Sequence, residues 1–247
     1  MKTILIKQPK GLGDIFFCQK IARKFLEDGH QVLWPVADKY LANVLNYIEG
    51  PIFFKESDNF PFKHEYNSTH RATIQSFDNC TVVATDGCAA TKDYCGVMVN
   101  KYKLVNLEYK DWLNYFHFTR NFDKEAALFN QLELKENEKY IITNKNIGGI
   151  GSESSWDIPI PSGIRVIETR EIDGFSVFDW CKVFEYATEF HIMETWLSYI
   201  IEKIPTRQTE YIMYHRSPSD SPNYRELTTI YAKPKKHISS EFIKRLC

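Results

Sequence analysis

The feature that most restricts this chain is the junction at its start. An apolar run, Lys2–Lys7, leads directly into Gln8-Pro9-Lys10-Gly11-Leu12-Gly13-Asp14, and apolar residues resume at helical spacing with Ile15, Cys18, Ala22, Phe25 and Leu26. A short buried strand, a glycine-bearing loop and an amphipathic helix in immediate succession open a βαβ unit. Glycine in such a loop lets the backbone turn tightly and lets a ligand approach the amides at the helix start. Two familiar nucleotide loops do not fit. The dinucleotide pattern needs a third small residue where Phe16 stands, and a P-loop needs Lys-Ser/Thr where Gly13 is followed by Asp14. What remains distinctive is a carboxylate at the mouth of a helix, facing the space beyond the strand ends.

The pattern continues as α/β. Asp28-Gly29 stops the first helix, Gln31–Val36 reads as the next strand, and Asp38 can cap a helix with Leu41, Val44, Leu45 and Ile48 on one face up to Gly50. Ala72–Gln75 and Thr81–Ala84 read as strands. Leu107–Phe118 reads as an aromatic-rich helix whose rings (Tyr109, Trp112, Tyr115, Phe116) either pack a core or line a sugar-stacking platform. A second series follows: a helix over Phe122–Leu132, strands at Tyr140–Thr143 and Arg165–Glu168, a helix over Phe178–Tyr186, a strand at Phe190–Met193, and a helix from Thr195 to Ile204 before Pro205. Tyr211–Tyr214 and Thr228–Ala232 read as late strands and Ser239–Leu246 as a last helix capped by Ser239 or Ser240. Strand–helix alternation that restarts after the middle predicts two doubly wound halves, residues 1–120 and 121–247.

Composition removes whole classes of function. With 31 basic and 32 acidic side chains, the formal charge of −1 offers no footprint for nucleic acid or an anionic membrane. No run approaches the about 18 apolar residues of a membrane span. The opening residues do not read as a signal peptide. The six cysteines (Cys18, Cys80, Cys88, Cys95, Cys181, Cys247) form no CxxC pair and read as reduced, buried thiols of a cytoplasmic protein. The sequons at Asn67 and Asn79 then carry no meaning. No HExxH, paired cysteines or Asp-x-Asp in a plausible context point to a metal. His64 and His70 are separated by five residues, and His191, followed by no partner, reads as a structural residue at a strand end.

Gly11-Leu12-Gly13-Asp14-Ile15 resembles the start of the ADP-heptose:lipopolysaccharide heptosyltransferases and related GT-B enzymes, and the likeness runs on into Val32-Leu33-Trp34. It returns at Phe178–Lys203, where Glu194-Thr195-Trp196-Leu197-Ser198-Tyr199 is similar to that family's Asp-Thr-Gly-x-x-His segment, with Trp196 in place of Gly and Tyr199 in place of His. The resemblance implies a GT-B fold, with two Rossmann-like domains facing across a cleft. The first would be the acceptor side and the second the nucleotide-sugar side. It implies Asp14 as catalytic base with Gly13 beside it. Glu194, Thr195, Trp196 and Tyr199 would lie at the donor diphosphate, with Lys145 against the phosphates from the loop Asn144–Gly149. Lys10, Arg165 and Arg216 are further cationic candidates, and Gly148, Gly149 and Gly151 would let that loop close over a ligand.

The expected activity is inverting transfer of a sugar from a UDP-, GDP- or ADP-sugar to a hydroxyl of a surface-type glycan. The nucleotide sugar is the donor substrate, and no cofactor or metal is expected. Two alternatives stand beside it: a non-catalytic nucleotide- or glycan-binding module of the same fold, and an unrelated Rossmann dehydrogenase. Heptosyltransferases are longer than this chain, so a trimmed relative acting on another sugar is the expectation.

Overall fold

Three consecutive apolar side chains, Ile4, Leu5 and Ile6, are almost completely buried, as a strand covered on both faces requires. They lie in β1 (Thr3–Lys7), the middle of a five-stranded sheet. The computed structural model describes residues 1–89, 96–146 and 158–240. The chain divides into two compact units, Met1–Thr119 and Arg120–Cys247.

In the first unit β1 is followed by α1 (Leu12–Phe17), α2 (Gln19–Glu27), β2 (Gln31–Val36), α3 (Asp38–Val44), β3 (Ile52–Lys55) and α4 (Lys63–Ser68). Then come β4 (Thr73–Ser76), β5 (Cys80–Ala84), α5 (Val97–Leu104) and α6 (Trp112–Tyr115). The sheet order is β3-β2-β1-β5-β4, parallel except for β4 against β5. From β1 the chain winds outward through β2 and β3, then returns to place β5 on the other side of β1. The gap between β1 and β5 is therefore the topological switch point, where open α/β sheets bind ligands beyond their strand ends.

The second unit holds α7 (Phe122–Gln131), β6 (Tyr140–Asn144), β7 (Arg165–Glu168), a 3-10 turn at Val177–Trp180, α8 (Cys181–Tyr186) and β8 (Glu189–Met193). It continues with α9 (Trp196–Lys203), β9 (Glu210–Tyr214), α10 (Pro222–Thr229) and β10 (Lys236–Ile238). Its sheet, β10-β9-β8-β6-β7, is parallel throughout. Here the switch point lies between β6 and β8. Local chemistry sets the helix starts. Asn121 Oδ1 accepts from the Lys124 amide at 3.1 Å to cap α7. Ser176 and Asp179 form a reciprocal capping box, Asp179 Oδ2 accepting from the Ser176 amide at 2.8 Å.

Several expectations need correction. The first helix is two helices broken at Cys18. Ile15, Phe16, Phe17 and Cys18 are all fully buried, and four successive residues cannot share one face of a straight helix, so the break re-aims the axis after a segment buried all round. Asp38 does not cap α3. Its carboxylate accepts instead from the Ser57 hydroxyl at 2.6 Å and the Ser57 amide at 3.3 Å.

Leu107–Phe118 is helical only at α6, and two of its four rings are core: Phe116 stacks on Phe16 at 5.0 Å and Trp112 lies 5.1 Å from Phe17, while Tyr109 and Tyr115 are half-buried. Thr228–Ala232 is not a strand. Ser221 Oγ accepts from the Tyr224 amide at 3.1 Å and Pro222 occupies the first turn, so α10 runs through Thr229, and the last strand is β10. The last helix from Ser239, the glycines at 148, 149 and 151, and Cys95 and Cys247 lie outside the described residues, except that Ser239 and Ser240 are buried. No helix among the described residues is long and apolar enough to cross a membrane.

Candidate functional site

At the switch point of the first unit lies a cavity of about 530 Å³. The turn after β1 lines one side (Lys10, Gly11, Asp14) and the turn after β5 the other (Asp86, Gly87, Cys88). The two glycines of the loop are not equivalent. Gly11 precedes α1 with φ +80°, a left-handed conformation that favours glycine, whereas Gly13 sits within the first turn of α1. A side chain at Gly11 would also place its Cβ 2.2 Å from Asp14 Oδ2. Gly11 is thus what allows the Asp14 carboxylate to fold back over the loop. Asp14 is not the N-cap of α1; it lies in the first turn, and no side-chain cap bond is made there.

The carboxylate is held by a lysine that sequence reasoning missed. Lys101 Nζ lies 2.9 Å from Asp14 Oδ1, with the lysine side chain only 3% exposed and Asp14 34%. The same ammonium donates to Gln8 Oε1, which also accepts from the Thr85 hydroxyl at 3.2 Å. Burial works against the charge on Lys101, but neighbouring Cys18 and Asp14 outweigh it and hold the ammonium above the ordinary lysine range. Burial also pushes the adjacent Cys18 thiol up to about 12, against the opposing pull of Lys101. The sequence signal for Lys101 was faint: a lysine on the buried face of a helix, between Met98 and Tyr102.

The other cations nearby are already engaged or peripheral. Lys7 Nζ donates to the carbonyls of Tyr66 at 2.8 Å and Thr69 at 2.9 Å, and Arg71 pairs with Asp86 at 3.3 Å. Lys10 is exposed at the cavity rim.

In the second unit the structure gathers the remaining candidates at the carboxyl ends of β6 and β8, on either side of the switch point. Lys145 directly follows β6 and is half-buried. Glu194 follows β8, Thr195 takes the N-cap position of α9, and Trp196 and Tyr199 belong to α9 itself.

Glu194 neither caps α9 nor stands open. It is buried, accepting from His215 Nδ1 at 3.0 Å and from Arg216 Nη2 at 3.1 Å. Since a carboxylate only accepts, His215 Nδ1 carries its proton, and the 2.6 Å contact between His215 Nε2 and His237 Nδ1 continues the chain. Burial lowers His237 to about 4, helped by His215 and Lys235. Trp196 and Tyr199 are buried, Tyr199 with its ring 5.9 Å from that of Tyr231.

Arg165 stands elsewhere, paired with Glu138 at 3.0 Å and donating to the Leu132 carbonyl at 2.7 Å. Two buried polar atoms at this switch point lack a hydrogen-bond partner among the described residues: Asn144 Nδ2 and Thr195 Oγ1. Such groups are rare in folded proteins and mark places where a ligand or water completes the bonding.

No protein-family model matches the sequence, and no curated protein matches it. Among solved structures the chain is similar to the glycosyl transferase family 9 protein from Veillonella parvula DSM 2008. The TM-score is 0.51 at 10% sequence identity, over 96% of this chain and 86% of that one. At that identity the likeness is one of architecture, and it identifies the fold as α/β of the GT-B type, with two Rossmann-like units.

Proposed function

We propose that the chain is an inverting glycosyltransferase that moves a sugar from a nucleoside-diphosphate sugar to a hydroxyl of a surface-type glycan. The observation that carries this is the Asp14 carboxylate, folded over Gly11 and held by buried Lys101 in a cavity at the switch point of the first unit. The GT-B architecture shared with a family 9 glycosyl transferase supports the reaction class.

In this reading the acceptor hydroxyl attacks the anomeric carbon as the bond from that carbon to the diphosphate oxygen breaks. Asp14 takes the hydroxyl proton, an effect worth about 10²–10⁴-fold in rate. Lys101 is a positioning residue that fixes the rotamer of Asp14. The leaving diphosphate is received in the second unit, where the amides that open α9, the orphaned Thr195 hydroxyl and Lys145 offer donors and positive charge. Transfer then needs no metal, because those groups carry the charge of the leaving group.

The test is a thermal-shift panel with UDP, GDP, ADP and NAD in the presence of EDTA, followed by turnover with the sugar donor of whichever diphosphate binds. One nucleoside diphosphate should stabilise the chain by about 2.7 kcal/mol at 100 times its dissociation constant. Asp14→Asn should keep that stabilisation while turnover falls about 100-fold or more. Loss of both together would make Asp14 a structural residue. A non-catalytic binding module is the second reading, favoured by the packing of Trp196 and Tyr199 into the core where the resembling segment has Gly and His. Nucleotide binding with turnover absent and indifferent to Asp14→Asn would select it.

A further inference from the structure

Side chains on a strand alternate faces, so Glu189 and His191 project from the same face of β8. The parallel register sets Glu210, the first residue of β9, directly beside Glu189, the first residue of β8. Three side chains of types that ligate metals are thus placed on one face at the amino-terminal end of the second sheet, the end opposite Asn144, Glu194 and Thr195. One ligand atom from each lies within 4.8 Å of the other two. His191 Nε2 and Glu189 Oε2 are 3.2 Å apart, close to the about 3.4 Å edge of a tetrahedron with zinc–ligand bonds of ordinary length. His191 is 3% exposed, while Glu210 is exposed and free to swing inward.

The hydrogen-bond partners of His191 leave room for a cation. Its Nδ1 faces the Pro159 carbonyl at 3.3 Å and its Nε2 faces the Glu189 carboxylate. Both partners only accept; a ring carrying both protons satisfies them, and so does one N–H to Pro159 with a cation bound at Nε2. If Nδ1–H serves Pro159, as a second-shell carbonyl commonly orients a metal-binding histidine, the Nε2 lone pair points at a carboxylate oxygen. A cation between them turns that repulsion into two bonds, and Glu210 supplies a second negative charge. Lys236 lines the same cavity of about 1010 Å³ as His191 and Glu210. Among the described residues no ion pair joins it to Glu210.

We propose that Glu189, His191 and Glu210 form a binding site for one divalent transition ion of the zinc class, with its fourth position open to that cavity. One imidazole and two carboxylates suit Zn²⁺ and Co²⁺ better than Ca²⁺, which takes six to eight oxygens. The site is separate from the strand ends proposed to hold the donor, and it stands whether or not the transferase reading holds.

The test titrates the EDTA-stripped, desalted full chain with Zn²⁺ by calorimetry and with Co²⁺ by visible absorption, using Ca²⁺ as the contrast. One equivalent of Zn²⁺ should bind, Co²⁺ should give the intense bands of a four-coordinate site, and Ca²⁺ should give neither. Glu210→Gln removes an exposed ligand without touching the core, and it should weaken Zn²⁺ by about tenfold or more. His191→Gln should abolish the Co²⁺ bands, and the exposed His70→Gln should change nothing. Absence of stoichiometric Zn²⁺ binding overturns the proposal, as does binding that Glu210→Gln leaves intact.

Discussion

Gly11 and Gly29 share a positive φ, +80° and +79°, but a Cβ at Gly29 meets nothing within 4 Å whereas one at Gly11 lands 2.2 Å from Asp14 Oδ2 and 3.2 Å from its Cγ. Alanine at either position costs at least about 1–2 kcal/mol for the positive φ alone. At Gly11 the methyl group must also expel the Asp14 carboxylate and break its 2.9 Å bridge to Lys101, leaving a 3%-exposed ammonium with one fewer partner. Orphaning a buried charge fully costs about 3–5 kcal/mol. Gln8 still accepts from Lys101, and Asp14 is one-third exposed, so the added cost is about 1–3 kcal/mol. Gly11→Ala should therefore destabilise the first unit by about 2–5 kcal/mol and Gly29→Ala by about 1–2 kcal/mol.

The clash is with Asp14 itself, so the excess must vanish once Asp14 is alanine. The assay is urea unfolding followed by tryptophan fluorescence, read on the transition that Gly29→Ala moves, for Gly11→Ala in the wild-type and Asp14→Ala backgrounds. A coupling of about 1–3 kcal/mol is expected from the cycle. Equal cost in the two backgrounds, or a Gly11→Ala no worse than Gly29→Ala, would show that the glycine does not serve the carboxylate.

Three further outcomes follow from burial. His237 is lowered to about 4 from 6.5, so between those values the unfolded chain binds more protons and stability must fall as the pH drops through that window. The full gap corresponds to about 3 kcal/mol, and the partial exposure of the ring reduces it to about 1–2 kcal/mol. His237→Gln should flatten the acid limb of a stability–pH curve, and an unchanged limb refutes this. Cys18, with its buried thiol pushed up to about 12, should resist iodoacetamide at pH 8 until the chain unfolds; early labelling mapped by mass spectrometry would contradict its packing. Phe116→Ala should cost about 3–5 kcal/mol in urea unfolding, since the ring is fully buried against Phe16 and Trp112. A small effect would return the ring to the surface role of a sugar platform.

Legibility in the sequence followed the strength of local signals. β1, β2, β6 and β8 were readable because strands buried on both faces are continuous apolar runs, and Gly11 was conspicuous because its backbone needs glycine. β3 and β10 were missed. Both are edge strands, of four and three residues, too short to show a period. The signal for α10 was present in Ser221-Pro222 but was outweighed by the β-branched residues Thr228, Thr229 and Ile230.

From sequence alone followed the alternation that predicts two α/β halves, the loop that projects a carboxylate from a helix mouth, and the absence of a nucleic-acid footprint. These depend on near neighbours in the chain and on composition. Only the tertiary structure decided what holds that carboxylate and what Glu194 does. Lys101 reaches Asp14 across 87 positions, and Glu194 meets His215 and Arg216 across 21 and 22. Sheet register likewise set Glu210 beside Glu189. Partners so far apart are chosen by how strands line up and helices pack, and the free energy of pairing two charges appears only after folding has removed the water between them.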